Sequence, residues 1–556
     1  MPTFTGTTGN DYLPGTTGAD LLIGLTGNDA YIVDDPNDVI TEVDGEGTDR
    51  IWSNISYTLT AGSSVERLSA RDAAFTTAIN FTGNEITNIL QGNNGDNILD
   101  GGGGADAMYG YGGNDTYYID NLGDFVQDFG ANDIAYATIS YRLNGSVGTL
   151  AAIDPNATTP LLLGGSNFNN DRIVGNAGDN QLDGALGADV LRGLGGNDVY
   201  YVDQTGDVVE EAAGAGNDLV YATGSFTLSA GSEVEVIAMQ VANGTTASTL
   251  TGNELNNIIF GNNGINTLNG GAGADILTGF AGNDSYVVDN LGDIIIEEID
   301  SGSDSILTSI DWQLTGGLSV ERLATANAQG TTPLSLIGNE LANTIEGNAG
   351  NNFLDGGAGA DTASGGAGND TYVVDSAADV VNEAGGSDYD IVYSTVDYTL
   401  AANQAVEALA ARDVSATTAL ALTGNNLGNT IAGNNGANVL DGKGGSDTLI
   451  GFGGADTFAF TTALGVNNVD WIFGFNAADD TIALDDAIFT GLTVGPLAAG
   501  AFVIGTAAAD GDDRIIYNQT TGDLFFDADG SGSGAAVLFA HLDGAPVITV
   551  SDFTVI

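Results

Sequence analysis

Between Gly92 and Tyr118 the chain keeps a nine-residue beat: GNNGDNILD, GGGGADAMY, GYGGNDTYY. Each nine has glycine at places one and four, Asn or Asp at place six and an apolar residue at place eight; a degenerate nine, GNEITNILQ, precedes them at Gly83. Glycines at places one and four permit positive φ and a backbone that crowds an ion. Six residues of a nine read as turn and three as strand, with the eighth side chain inward and its neighbours outward, as a period of two requires. Two nines make one coil of a flattened helix, and a coil buries its apolar face only against the next coil. The fold class expected is all-β: an elongated parallel β-roll or β-helix solenoid of nonapeptide repeats.

A longer period lies above the short one. The second nine of successive blocks opens at Gly92, Gly175, Gly261, Gly347 and Gly433, spacings of 83, 86, 86 and 86, with an incomplete first copy at Gly6. After each of the first five blocks comes an aspartate pair four apart: Asp34 and Asp38, Asp120 and Asp124, Asp203 and Asp207, Asp289 and Asp293, Asp375 and Asp379. An aromatic follows at a matching place (Tyr57, Tyr141, Phe226, Trp312, Tyr398), then Val-Glu in four copies, at Glu66, Glu235, Glu321 and Glu407. The second copy lacks the glutamate and is the short one. Alternating Thr, Val, Ile and aromatic residues make these spacers β as well. The super-repeats of about 86 residues give repeat units 1–82, 83–164, 165–251, 252–337 and 338–423, a last nonapeptide block at 424–460 and a C-terminal β domain at 461–556.

Stacking two nines to a coil puts turns one and three on one edge and turns two and four on the other, so sixth-place carboxylates become near neighbours that repel unless a cation separates them. Calcium takes six to eight oxygens from carboxylates and backbone carbonyls, and several ions between successive turns are expected. The third and fourth nines carry aspartate at place six: Asp106 and Asp115, Asp189 and Asp198, Asp275 and Asp284, Asp361 and Asp370, Asp447 and Asp456. The first and second mostly carry asparagine: Asn88 and Asn97, Asn257 and Asn266, Asn343 and Asn352, Asn429 and Asn438, with Asn180 in the third block beside Asp171. The first block has Asp11, Asp20 and Asp29. Each edge is thereby expected to pair one Asn with one Asp, a weakly charged site. Carbonyls near Gly92, Gly101, Gly110, Gly270, Gly279, Gly356 and Gly365 are candidate co-ligands, and Asp34, Asp120, Asp203, Asp289 and Asp375 are further candidates of lower rank.

Composition agrees with cation binding. There are 74 acidic residues against 10 basic ones, a formal net charge of −64, on a chain 42% hydrophobic. Such a surface repels nucleic acid and anionic lipid, which need Lys and Arg to neutralise phosphate. The apolar content suffices for a long core, while the chain without counter-ions reads as disordered. Cysteine is absent, which fits a secreted bacterial chain that bypasses disulfide machinery. No stretch reaches the length of a membrane span, and the start, MPTFTGTTGNDY, lacks the basic and apolar regions of a cleaved signal peptide.

The nines resemble the GGxGxDxUx repeat of the RTX (repeats-in-toxin) calcium-binding proteins, with roughly twenty nines in six phased blocks. The resemblance implies a parallel β-roll and export from a Gram-negative bacterium through the type I secretion apparatus. Gly454 to Asp485 resembles the segment after the roll in the serralysin family, and the tail SDFTVI resembles an uncleaved type I signal through Asp552, Phe553, Val555 and Ile556; a plain last strand is the alternative. GDLFFDADGSGSGAAVLFAHL resembles a hairpin common after RTX blocks, in which Asp527 and Asp529 belong either to an acidic calcium loop or to an Asp-Gly turn.

The serralysin protease is missing. His541 is the one histidine, so neither a zinc triad nor a catalytic triad assembles without it. No enzyme is expected. The favoured expectation is a secreted structural protein that folds on calcium and self-associates into a surface layer, sheet or filament. The alternatives are an adhesin for a cell-surface glycan, with the shorter second unit as its candidate surface, and a β-helix polysaccharide enzyme with an arginine such as Arg142 or Arg172 in its cleft. Those arginines, like the Glu66-Arg67 and Glu321-Arg322 pairs, otherwise read as solvated charge partners.

Overall fold

A computed structural model describes residues 1–42, 45, 47–130, 132–299, 302–383, 386 and 388–556. The chain divides into two compact units, Met1–Tyr286 with Gly292–Ile296, and Val287–Leu291 with Glu297–Ile556. Each is a parallel β-solenoid, with no α-helix among the described residues. Among the described residues no helix is long and apolar enough to cross a membrane.

The nonapeptide fixes the coil. In the first unit, Ile89–Gln91 pairs in parallel with Ala107–Tyr109, Leu90 opposite Met108, and Ala107–Tyr109 pairs with Phe125–Gln127. The alternate strands Ile98–Asp100, Thr116–Ile119 and Ile134–Ala137 build a second sheet in the same way. Every partner lies eighteen residues on. The eighth-place side chains Leu90, Leu99, Met108 and Tyr117 are fully buried, and Val126 nearly so. Removing rows of such side chains from water is the main apolar driving force of the fold.

The spacers keep the coil but change its length. Ala30 pairs with Arg50, Arg50 with Arg67, Arg67 with Ile89, and Tyr57 with Phe81, so the step varies around eighteen. The matching aromatics anchor these coils: Tyr57 donates to the Asp38 carbonyl at 2.8 Å, Tyr141 to that of Asp124 at 2.8 Å and Tyr398 to that of Asp379 at 3.3 Å. From Ile89–Gln91 to Leu162–Gly164 there are nine strands before the next block begins at Arg172–Val174. Nine is odd, so this block starts on the edge opposite to its predecessor.

In the second unit the C-terminal segment extends the same sheets. Asp470–Phe473 and Thr481–Leu484 continue from the last block, and Val537–Leu542 and Phe553–Val555 pair in parallel with them. Asp523–Phe526 and Val537–Leu542 form the anticipated antiparallel hairpin. Phe460, Phe489, Phe526 and Phe539 pack edge to face beneath it. Phe553 and Val555 are buried in the closing strand while Ile556 is half exposed. His541 lies in Val537–Leu542, 3.0 Å from Asp523 and against Trp471, a structural setting.

Candidate metal centres

The sixth-place residue ends a turn and begins a strand, so its backbone N–H faces the coil ahead. There it donates to the sixth-place side chain one coil on. Asn88 donates to Asp106 Oδ1 at 2.6 Å and Asp106 to Asp124 at 3.0 Å; on the other edge Asn97 donates to Asp115 at 2.6 Å and Asp115 to Asp133 at 2.8 Å. The second aspartate of each spacer pair thus takes a ladder place. Asp120, the first, sits exposed in the turn, as do Asp34 and Asp289, while Asp203 and Asp375 are half exposed.

The ladders outrun the Asn/Asp pairs expected from the spacing. One runs Asp11, Asp29, Asp49, Glu66, with N–H to carboxylate distances of 2.7 Å at each step, and continues through Asn88, whose amide donates to the Val65 carbonyl. Asp20 hands on to Asp38 at 2.9 Å. A further ladder runs Asn180, Asp198, Asp218, Glu235, then Asn257, Asp275, Asp293, and Asp171, Asp189, Asp207 complete the edge begun by Asn97. Asn266 donates to Asp284. In the second unit Asn343, Asp361 and Asp379 stack, as do Asn352, Asp370, Asp390 and Glu407, then Asn429, Asp447 and Asp470. Asn438, Asp456 and Asp480 close the series.

Glu66 and Glu321 therefore differ from their reading as solvated charge partners of Arg67 and Arg322. Glu66, Glu235, Glu321 and Glu407 are partly buried acceptors that carry the ladder from spacer to block. In the short second copy Gly148 stands at that place, and only its carbonyl is used, by Arg172 N–H. Arg142 and Arg172 do serve as charge partners, to Asp183 and to Glu210. Asp527 is buried beside Arg514, whereas Asp529 is an exposed turn residue that accepts from Gly534 N–H.

Asn and Asp behave differently at the same place. Asparagine amides are consumed by carbonyls: Asn257 reaches Val234 at 2.8 Å, Asn343 reaches Val320 at 2.9 Å, Asn429 reaches Val406 at 2.7 Å and Asn438 reaches Asn434 at 2.9 Å. The asparagine amides at the ladder ends are thus satisfied within the protein. The second oxygen of an aspartate needs a donor from elsewhere, which Asp11, Asp20 and Asp171 find in their own turns and many others do not. Oδ2 of Asp29, Asp106, Asp115, Asp133, Asp189, Asp198, Asp218, Asp361, Asp370 and Asp447 is buried with no hydrogen-bond partner. A buried orphan carboxylate oxygen is costly.

Most of those oxygens point at glycine. A Cβ on Gly101, Gly110, Gly270, Gly279, Gly356 or Gly365 would collide with the carboxylate of its own turn. The carbonyl of Gly110 lies 3.2 Å from where a Cβ of Gly92 would stand, and that of Gly279 lies 3.0 Å from the equivalent point on Gly261. Hard, anionic oxygens beside free carbonyls, with no N–H supplied, are the donor set calcium takes. Burial raises these carboxyls, aided by their neighbours: Asp106 to about 7 beside Asp124, Asp115 to about 8 beside Asp128, and Asp189 to about 7 beside Asp207.

Sequence reading missed a second acid set. Eighteen residues after the first glycine of a fourth nine, where a coil ahead would normally place glycine, stand Glu42, Asp128, Glu211 and Glu383. They draw together Asp29–Glu42–Asp49, Asp115–Asp128–Asp133, Asp198–Glu211–Asp218 and Asp370–Glu383–Asp390, with one oxygen from each member within 4.8 Å of the others. The available signal was a carboxylate at the glycine place one coil on.

Six stretches of the chain, 5–40, 82–117, 166–200, 251–287, 337–372 and 423–459, match the family model of the RTX calcium-binding nonapeptide repeat. They hold the sixth-place residues of the nines, and the ladders run on beyond them into the spacers, as at Asp49, Asp133 and Asp218. No curated protein matches the chain as a relative.

Proposed function

Taking as premise that this is a calcium-binding RTX-repeat protein, with the repeat in six blocks of a parallel β-solenoid, we propose that it is a secreted structural protein. It leaves the cell through a type I channel, folds on calcium outside and self-associates into a surface layer or filament. It is a scaffold and not an enzyme.

The observation that carries this reading is the distribution of chemistry. The buried orphan carboxylates recur through both units, and those of Asp29, Asp106, Asp115, Asp189, Asp198, Asp361, Asp370 and Asp447 face the glycine that opens their own turn. Ligand capacity spread over every block suits a scaffold. Outside the ladders the net charge of −64 leaves an acidic surface that calcium can bridge between neighbouring molecules. The segment Gly454–Asp485 and the tail SDFTVI support export through their resemblance to serralysin and type I signals. Extracellular calcium, at about 10⁻³ M, lies in the range where such modules saturate, and cytosolic calcium does not.

Negative-stain electron microscopy of purified protein during calcium titration tests the assembly. Ordered sheets or filaments are expected at millimolar calcium and their dissolution on chelation. Monomers alone at millimolar calcium would overturn it.

One observation favours an adhesin as a second reading. Tyr118 and Tyr136 stack at 6.0 Å, and Tyr201 and Tyr221 at 5.8 Å, all half exposed; sugar rings stack on such platforms. Glycan binding that Tyr136→Ala abolishes without loss of calcium-dependent folding would support it.

A further inference from the structure

The carboxylate clusters at the junction of block and spacer differ from the rest of the ladder in three ways. First, each brings three acids to one point, where an ordinary step stacks two sixth-place side chains. Second, in three of the four the third acid is held in place: Tyr117 donates to Asp128, Tyr200 to Glu211 and Tyr372 to Glu383. Gly193 N–H donates to Tyr200 at 2.9 Å and Gly365 N–H to Tyr372 at 2.7 Å, which fixes each phenol. Tyr117, Tyr200 and Tyr372 are fully buried. Third, oxygens remain free and aimed inward: Oδ2 of Asp115 and Asp133, of Asp198 and Asp218, and of Asp370 have no partner, in residues 3% exposed or less.

The last block is an internal contrast. Its fourth nine opens at Gly451 and has Phe458 at the tyrosine's place, and the register of Thr448–Ile450 on Trp471–Phe473 puts Gly474 where the third acid would stand. Both members of the device, phenol and third acid, are missing together. Access is also provided. A surface cleft bordered by Val208–Ala212 and Ser229–Ser232 reaches Glu211, and one bordered by Val381–Glu383 and Ala401–Gln404 reaches Glu383, at corresponding places in the two units.

We propose that these tyrosine-braced triads are a second, tighter class of divalent-cation site, filled before the ordinary ladder steps, so that each junction of block and spacer is the first part of its coil to set. This rests on the calcium-dependent reading above. More carboxylates on one ion, in a pre-organised site, raise affinity for calcium. Tyrosine acts as a positioning residue, orienting the acid and excluding water.

The test uses the full chain and calcium alone. Equilibrium dialysis should show an early phase of uptake at free calcium at least tenfold below the main phase. Glu211→Gln should remove about one ion from that early phase and leave the main phase in place. Terbium, another hard oxygen-seeking cation, gives a second readout: emission excited through tyrosine should rise in the early phase and fall in Tyr200→Phe, which keeps all three carboxylates and the packing. A single-phase uptake, an early phase that Glu211→Gln leaves unchanged, or tyrosine-sensitised emission confined to the main phase would overturn the proposal. Failure of the underlying reading has a different signature, full β content in wild-type protein without calcium.

Discussion

Stripped of calcium at neutral pH, the chain is expected to lose most of its β-sheet circular dichroism and to expand, and to recover both when millimolar calcium returns. The reason is the arithmetic of the ladders. Two ionised carboxylates within 4.8 Å of each other repel by about 3 kcal/mol or more at an effective dielectric near 20. The fold repeats such encounters at five of its six blocks, against a net stability that for an ordinary domain is about 5–15 kcal/mol. A bound ion turns each repulsion into attraction. At ten times its dissociation constant one site adds about 1.4 kcal/mol to the folded state, and the sites are many. Circular dichroism and small-angle scattering in excess chelator check this; a signal unchanged from the calcium-loaded state would contradict it.

Acid should partly replace calcium. The folded state holds Asp106 and Asp189 at about 7, Asp115 and Asp447 at about 8 and Asp218 at about 7, each raised by burial above the ordinary value of 3.8. A carboxyl raised on folding stabilises the fold fully below its unfolded value, and that contribution is lost as pH climbs through the folded one. In calcium-free buffer the chain should therefore be more ordered near about pH 5 than near about pH 8. With calcium present the dependence reverses for binding: protons compete, so the calcium needed for half-folding should rise as pH falls from about 8 to about 6. Circular dichroism across this range in metal-stripped buffer measures both effects. Order that increases with pH in the absence of calcium would contradict the account.

Much of this architecture is legible in the chain. The eighth-place rule placed Leu90, Leu99, Met108 and Tyr117 in the core, because a nine with three strand residues leaves one inward position. The division of turns between two edges followed from two nines per coil. The spacers were harder. Their steps depart from eighteen, as between Ala30 and Arg50 or Tyr57 and Phe81, so pattern alone could not align Asp49 or Glu66 with the block. Glu66 followed by an arginine looks like a surface pair, and only the strand register shows it accepting from Asp49. Asn and Asp are interchangeable in the nonapeptide pattern; hydrogen bonding separates the self-satisfied Asn343 from the orphaned Asp361. The junction acids were missed because they break the beat where glycine was due.

The central claim is that cations lie between stacked coils, against the orphan aspartate oxygens. Crystals grown in calcium, measured for anomalous scattering, test it most directly. The account predicts anomalous peaks beside Oδ2 of Asp106, Asp115, Asp189, Asp198, Asp361, Asp370 and Asp447, within about 2.3–2.6 Å. Well-ordered turns at those residues with no ion beside them would contradict it.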